Sequence, residues 1–435
     1  MTPVKSTILH HLPIWLLMAI VFCLPWQIRW IAVPGIINNA PWEYGTVSLY
    51  GLDILILLFL LFACGQIKQS QRRFHFSLSQ VLALFIVIIA FFSTSFASER
   101  SIALFWLLKL AEGVALFLCI PAIHFSQQRI RLAFIASGVI QSILALIQFF
   151  MQSVVGSKWV GMATQSPATL GVQVVEGPWG RVLRSYGSLP HPNMLGGLLA
   201  VCMLICIVAY IEASSRRFRG ACTAALLVLS SGLWSTFSRQ AWIATGVGIA
   251  VLIAYIFLRE KLFPRRLVAS LLYAVLPFLL LSAIFPALVL TRTQAQNRLE
   301  ERSLHERAQY AQESLDILHD NWITGVGIGN YTVYVHEKDI DNHHEQPAWA
   351  YQPVHAVPLL IFSELGLFGI LAWLWFLMSL LWHWHWKNER IFIWMLPMFM
   401  LLIIALFDHY LWSLHFGIIF FWLCAAFLER EKEHA

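Results

Sequence analysis

His355 and Arg307 lie 48 positions apart within the longest polar segment of this chain, residues 297–369, and together could perform acid–base chemistry on an anionic substrate. An imidazole with an ordinary pKa near 6.5 can take a proton at neutral pH. A lone histidine at the mouth of an apolar span is also a common structural residue, and composition leaves both roles open. Arg307 can bind an anion or pair with Glu300, Glu301 or Glu306 on a helix surface, where such a pair is worth little. Arg302, earlier on the same stretch, competes for that role.

Further candidates lie elsewhere. Arg239, in Ser238-Arg239-Gln240-Ala241-Trp242, opens an apolar span. It can snorkel to lipid headgroups or face an aqueous cavity. In the second case its planar fork suits a phosphate, to which it donates two parallel hydrogen bonds. Arg181 and Arg184 precede the turn-rich lead Tyr186-Gly187-Ser188-Leu189-Pro190-His191-Pro192-Asn193. His191 is a candidate ligand there, and Asn193 a candidate helix cap. Glu364 is an acid inside an apolar stretch, able to pair across a bundle or serve a site. Lys109 and Glu112 have the i, i+3 spacing of a self-neutralising pair.

His336, His343 and His344 come without HExxH or a spaced acidic cluster, so no metal is expected. Gly325, Gly327 and Gly329 follow a helical pattern rather than a strand. They read as a stop between elements, not as a dinucleotide loop. The His383-Trp384-His385-Trp386 tract reads as membrane-interface belt.

The elements that position these residues are membrane helices. The chain is 59% hydrophobic and 12% charged, against roughly 25% charged residues in a soluble domain. An all-α integral membrane protein in contact with membrane lipid is expected, as one polytopic domain over residues 1–435. No nucleic-acid motif accompanies the net charge of +6. All seven cysteines lie in apolar stretches, which excludes a disulfide framework. The N-terminus reads as an uncleaved first helix.

About twelve stretches approach the length a bilayer needs: 12–33, 47–65, 78–97, 102–120, 131–152, 193–211, 221–235, 240–258, 267–290, 355–382, 391–407 and 412–428. Arginines and lysines such as Arg72, Arg73, Arg129, Arg216 and Arg265 cluster in short loops, which assigns those loops and both termini to the cytoplasm. The long loops 153–192 and 291–354 then lie outside. With them go Arg184, His191, Arg239, Arg307, His355, Asp408 and His409, all on one membrane face. Within the second loop, Leu299, Ala308, Ala311, Leu315 and Leu318 repeat close to 3.6, which predicts an amphipathic helix over 298–319.

Four elements in this order resemble the O-antigen ligase and polymerase superfamily, integral membrane glycosyltransferases of the C type. They are Arg184-x-Tyr186-Gly187 with His191-Pro192-Asn193; Ser238-Arg239-x-x-Trp242; Arg307 with Gly325-Val326-Gly327; and His355 followed by Gly366-x-x-Gly369. The pattern is closest to the ligases. The chain departs from it at Ala356, where the family carries a polar residue.

The resemblance implies a GT-C-like membrane fold facing the periplasm from the bacterial inner membrane. It implies transfer of a glycan from undecaprenyl diphosphate to a lipid A–core hydroxyl, with inversion and without metal or cofactor. His355 would be the base, and Arg239 and Arg307 would hold the diphosphate. Arg184, His191, Arg302 and Glu364 would line the substrate. A polysaccharide polymerase acting on a glycan acceptor is the near alternative. A lipid-linked glycan transporter fits less well, because no inverted repeat or pair of broken helices is evident.

Overall fold

The computed structural model describes residues 3–69, 76–178, 180–261, 264–294, 298–382 and 388–433; Arg72, Arg73 and the 383–386 tract lie outside the described residues. The protein is mostly helical. Helix α1 (Pro3–Cys23) leads into a small hairpin of β1 (Arg29–Val33) and β4 (Val47–Tyr50), with the short pair β2 (Ile36–Ile37) and β3 (Ala40–Pro41) between them. Then come α2 (Gly51–Gln69), α3 (Leu78–Ser93), α4 (Arg100–Cys119) and α5 (Gln127–Met151), followed by the strand pair β5 (Val174–Gly177) and β6 (Gly180–Leu183). Next are α6 (Pro192–Glu212), α7 (Arg216–Ser235), α8 (Arg239–Glu260), α9 (Arg265–Ile284), α10 (Pro286–Gln294) and α11 (Arg298–Asn321). The chain continues through α12 (Tyr331–Asp341), α13 (Val357–Leu381), α14 (Glu389–Ala405), α15 (Tyr410–Ser413) and α16 (His415–Glu433).

Each of the twelve apolar stretches contains a helix, and among the described residues six helices (α4, α5, α6, α8, α9 and α13) are long and apolar enough to cross a membrane. Prolines account for two differences from the sequence reading. The first stretch stops at Cys23, because Pro25 biases the preceding residue away from helix; residues 29–33 are instead a strand. The stretch 267–290 is broken ahead of Pro286, which starts α10 as its first residue. The predicted amphipathic helix is present as α11.

Helix α6 is the centre of the bundle, apolar all round and almost wholly buried, as a helix without a polar face must be. Its first turns carry Gly196 and Gly197, which let neighbours approach as small residues do in membrane bundles. A Cβ on Gly196 would lie 2.8 Å from Ser238 and 2.9 Å from Ala241, and one on Gly197 would lie 2.2 Å from the Tyr410 hydroxyl. The starts of α6, α8 and α15 therefore converge. That convergence gathers residues near 191, 239 and 408.

Helix α13 is two helical halves joined at Gly366, whose φ of 66° lies in the left-handed region. A break inside a membrane helix leaves backbone groups that need partners. The glycine loop after α11 supplies them. Val326 N–H donates to Ser363 O at 3.0 Å, Gly327 N–H to Glu364 O at 2.9 Å, and Leu367 N–H to Trp322 O at 2.9 Å. Gly325 and Gly366 touch back to back, with no room for a Cβ on either. The glycine run is thus the clasp of the broken helix, not merely a stop. The Ser314 and Ser363 hydroxyls add a hydrogen bond of 2.6 Å between α11 and α13. Gly366→Ala is expected to destabilise the protein by at least about 2 kcal/mol through left-handed strain and overlap. Gly246→Ala, in open space, should leave thermal unfolding unchanged or slightly raised.

A buried ionic knot ties α2, α4 and α16. Lys109 pairs with Asp53 and lies 3.7 Å from Glu112, while His415 Nε2 lies 2.7 Å from the Asp53 carboxylate. Asp53, Glu112 and His415 could together offer metal-ligand atoms. Lys109 already supplies a cation to both carboxylates, which offsets one of their two formal charges. The i, i+3 pairing expected for Lys109 and Glu112 is therefore secondary to Asp53.

Candidate active site

Three histidines and one carboxylate meet where α6, α13 and α15 begin. His355, two residues ahead of α13, stacks on Tyr310 of α11 with ring centres 5.5 Å apart and meets His409 edge-on at 4.8 Å. Asp408 and His409 occupy the turn between α14 and α15. The Asp408 carboxylate accepts from Asn193 Nδ2 at 2.8 Å, Gln240 Nε2 at 2.7 Å and the His409 backbone at 2.8 Å. Its burial opposes ionisation, but the neighbouring imidazoles, His409 foremost, and the Gln240 amide outweigh that and hold the carboxyl well below its usual range.

Hydrogen bonding separates the three imidazoles. His191 Nδ1 accepts from Asn193 N–H at 3.0 Å, so the ring itself caps α6 and its proton sits on Nε2. Asn193 is not the cap; its side chain bridges to Asp408. His409 Nδ1 lies 2.6 Å from the Ser413 hydroxyl, which donates to the His409 carbonyl at 3.1 Å. Its Nε2 lies 3.4 Å from the Tyr44 hydroxyl. Both nitrogens of His409 are engaged. His355 Nδ1, by contrast, is buried with no hydrogen-bond partner. Of the three, His355 has the imidazole nitrogen free to receive a proton. Burial, then His409, Arg307 and His191, push His355 down to about 3 against the pull of Asp408. Burial, then Arg184, push His191 to about 3 as well. Both rings are neutral at physiological pH.

The cations lie beside this group. Glu300, 3% exposed, holds Arg239 at 3.1 Å and also pairs with Arg292 of α10. Arg292 also donates to the Phe237 carbonyl at 2.9 Å. Arg307 is half-buried and has no carboxylate within ion-pair distance among the described residues. Its charge is felt by both His355 and His409. Burial, then Arg239, lower its pKa, opposed by Asp408 and Glu300. A guanidinium so placed lacks an anion.

Arg184 is buried and donates to Thr236 O at 2.8 Å and Asn193 Oδ1 at 2.6 Å. It orients Asn193, and through Asn193 the Asp408 carboxylate. Arg302 is not brought into the cluster. It pairs with Glu306 at 2.8 Å on the exposed side of α11 and lies over Trp349. Glu364 accepts from Trp412 Nε1 at 2.8 Å and lines a small cavity with Tyr44, Trp106 and Ser413.

Sequence reasoning singled out Arg184, His191, Arg239, Arg307 and His355, and the structure gathers them in one neighbourhood. It did not find Arg292 or assign Glu300 its place between two arginines. Arg292 closes the short helix started by Pro286, and that proline was the available signal.

Residues 224–374 match the family model described as O-antigen ligase. No curated protein matches the chain closely enough to count as a relative. The matched stretch holds Arg239, Arg292, Glu300, Arg307, His355 and the Gly366 break, whereas His191 and Asp408 lie on either side of it. Over residues 224–374 the chain is therefore similar to the O-antigen ligases, which supports a place in the O-antigen ligase and polymerase superfamily.

Proposed function

We propose that the protein transfers a glycan from undecaprenyl diphosphate to a hydroxyl of lipid A–core. In this reading the whole chain is one twelve-span GT-C-like unit in the inner membrane. Both termini are cytoplasmic and the site opens to the periplasm. The acceptor hydroxyl gives its proton to His355 as its oxygen attacks the anomeric carbon. The bond from that carbon to the diphosphate oxygen breaks, and the anomeric configuration inverts. Charge gathers on the departing diphosphate, where preorganised cations act most strongly. Arg307 meets it directly, while Arg239 and Arg292 turn to it from Glu300, the carboxylate a diphosphate would replace.

One observation carries this reading: a half-buried arginine with no ion pair among the described residues stands beside His355, the member of the three-histidine cluster whose ring nitrogen is free. An imidazole pushed to about 3 is a weak base, and repulsion from Arg307 contributes to that. A bound diphosphate cancels the repulsion, so the donor itself strengthens the base. No metal or nucleotide is required, because the carrier diphosphate is the leaving group.

The test is incubation of purified protein with undecaprenyl-diphosphate glycan and lipid A–core. One glycan attached to each lipid A–core is the expected product. A ladder formed without lipid A–core would instead make the protein a polymerase.

A further inference from the structure

A second cavity, about 240 Å³, lies behind the histidines and is lined in part by Gln27, Arg29, Tyr50, Gln165, Tyr186 and His415. It meets the candidate active site at three places along the chain. Glu43 lines the cavity, and the next residue, Tyr44, contacts His409. Pro190 lines it, and the next residue is His191. Leu414 lines it, and the preceding Ser413 bonds His409. None of Arg239, Arg292, Glu300 or Arg307 is in its wall. The cavity therefore adjoins the histidine flank of the site and not the arginine flank.

Its wall is mixed, with polar groups standing among apolar side chains such as Met162, Leu189, Met194 and Phe416. Arg29 is the arginine in the wall, and its guanidinium is closed on Glu43, with Nη2 to Oε2 at 2.8 Å. That pairing removes the attraction a phosphate would need. Other groups keep hydrogen-bonding capacity. The Tyr186 oxygen accepts from Gln173 N–H at 2.7 Å and leaves its O–H to donate. Gln27 donates to Leu24 O at 2.9 Å and leaves its carbonyl oxygen to accept. His415 Nδ1 is buried without a partner. Aromatic rings with polar tips, together with amides that both donate and accept, match a ring bearing several hydroxyls.

We propose that this cavity is the subsite for a neutral saccharide unit of the acceptor, next to the sugar whose hydroxyl is glycosylated. The assignment to the acceptor rests on the function proposed above. The base takes its proton from the acceptor, so the acceptor approaches from the histidine flank, while the diphosphate and its glycan sit against the arginines.

The test uses the full chain in nanodiscs with two substitutions outside the histidine and arginine cluster. Ala163→Trp places an indole at the exposed mouth of the cavity, and Gln165→Ala removes an amide from its wall. The probes are core oligosaccharide released from rough lipopolysaccharide and, separately, the glycan released from the undecaprenyl carrier. Wild type is expected to bind the core oligosaccharide. Gln165→Ala should weaken that binding roughly tenfold, the equivalent of about 1.4 kcal/mol, and Ala163→Trp should abolish it. The KM for the carrier-linked donor should stay unchanged in both. The proposal is overturned if wild type does not bind the core oligosaccharide, if both variants bind it as wild type does, or if the loss falls on the carrier-derived glycan. Failure of wild type to glycosylate lipid A–core would count against the function itself, and the binding arms would still decide the subsite.

Discussion

His355→Ala is expected to lower glycan transfer by about a hundred- to ten-thousand-fold, the range general-base catalysis supplies, with donor binding retained. The imidazole has the free nitrogen, whereas His191 is committed to capping α6 and His409 to Ser413 and Tyr44. His409→Ala should then act indirectly, through loss of the edge-on contact with His355. A His355→Ala protein that still transfers within about twofold of wild type would overturn the base assignment. The pH profile supplies an independent check. His355 is held at about 3, below the ordinary 6.5, so the unfolded chain binds more protons than the folded one between those values. This histidine therefore costs the fold nothing above pH 6.5 and destabilises it increasingly as pH falls toward about 3. For catalysis, kcat/KM reports the free enzyme and kcat the substrate complex. The acid limb of kcat/KM should lie well below pH 6.5. The limb of kcat should lie higher, because the bound diphosphate cancels the repulsion from Arg307. Coincident limbs at pH 6.5 would sink the argument.

The parts of this site that could be read from the sequence were those set by local pattern. The apolar repeat from Leu299 to Leu318 gives α11, and its polar, glycine-containing continuation gives its end. The structure brings Arg184, Arg239, Arg307 and Asp408 into one neighbourhood, as an argument from loop lengths and charges alone expects. What stayed hidden depends on two partners at once. Gly325 and Gly366 each look like an ordinary helix break; only their contact shows that one satisfies the backbone of the other. Glu300 looks like one more acid on an amphipathic helix until α10 turns back and sets Arg292 against it. The same holds for Asp408, whose surroundings come from Asn193 and Gln240, both distant in sequence. Arg302 and Arg307 are alike by composition. The orientation of α11 alone separates them, sending Arg302 out to Glu306 and Trp349 and Arg307 toward the histidines.

Arg307→Ala is expected to lower kcat by about a hundred- to a thousand-fold, the usual consequence of removing one preorganised donor from a developing anion. The same change should leave thermal stability unchanged or raised. Arg307 forms no ion pair among the described residues, and the cost of burying its charge, with the repulsion from Arg239, outweighs the pull of Asp408 and Glu300. Removing it therefore deletes repulsion and burial of a charge without deleting a bond. Loss of activity with gain in stability is the pattern of a residue held in place for substrate. Arg239→Ala should behave differently. It would leave Glu300 with Arg292 as its one ion-pair partner, and loss of one partner from a buried ionic group is destabilising. Arg307→Lys separates charge from geometry. A lysine keeps the charge but not the planar fork, so recovery of only a small part of the activity points to two parallel hydrogen bonds with the diphosphate. Full recovery would reduce the role of Arg307 to a point charge. An Arg307→Ala protein that is both fully active and more stable would remove the arginine from the site altogether.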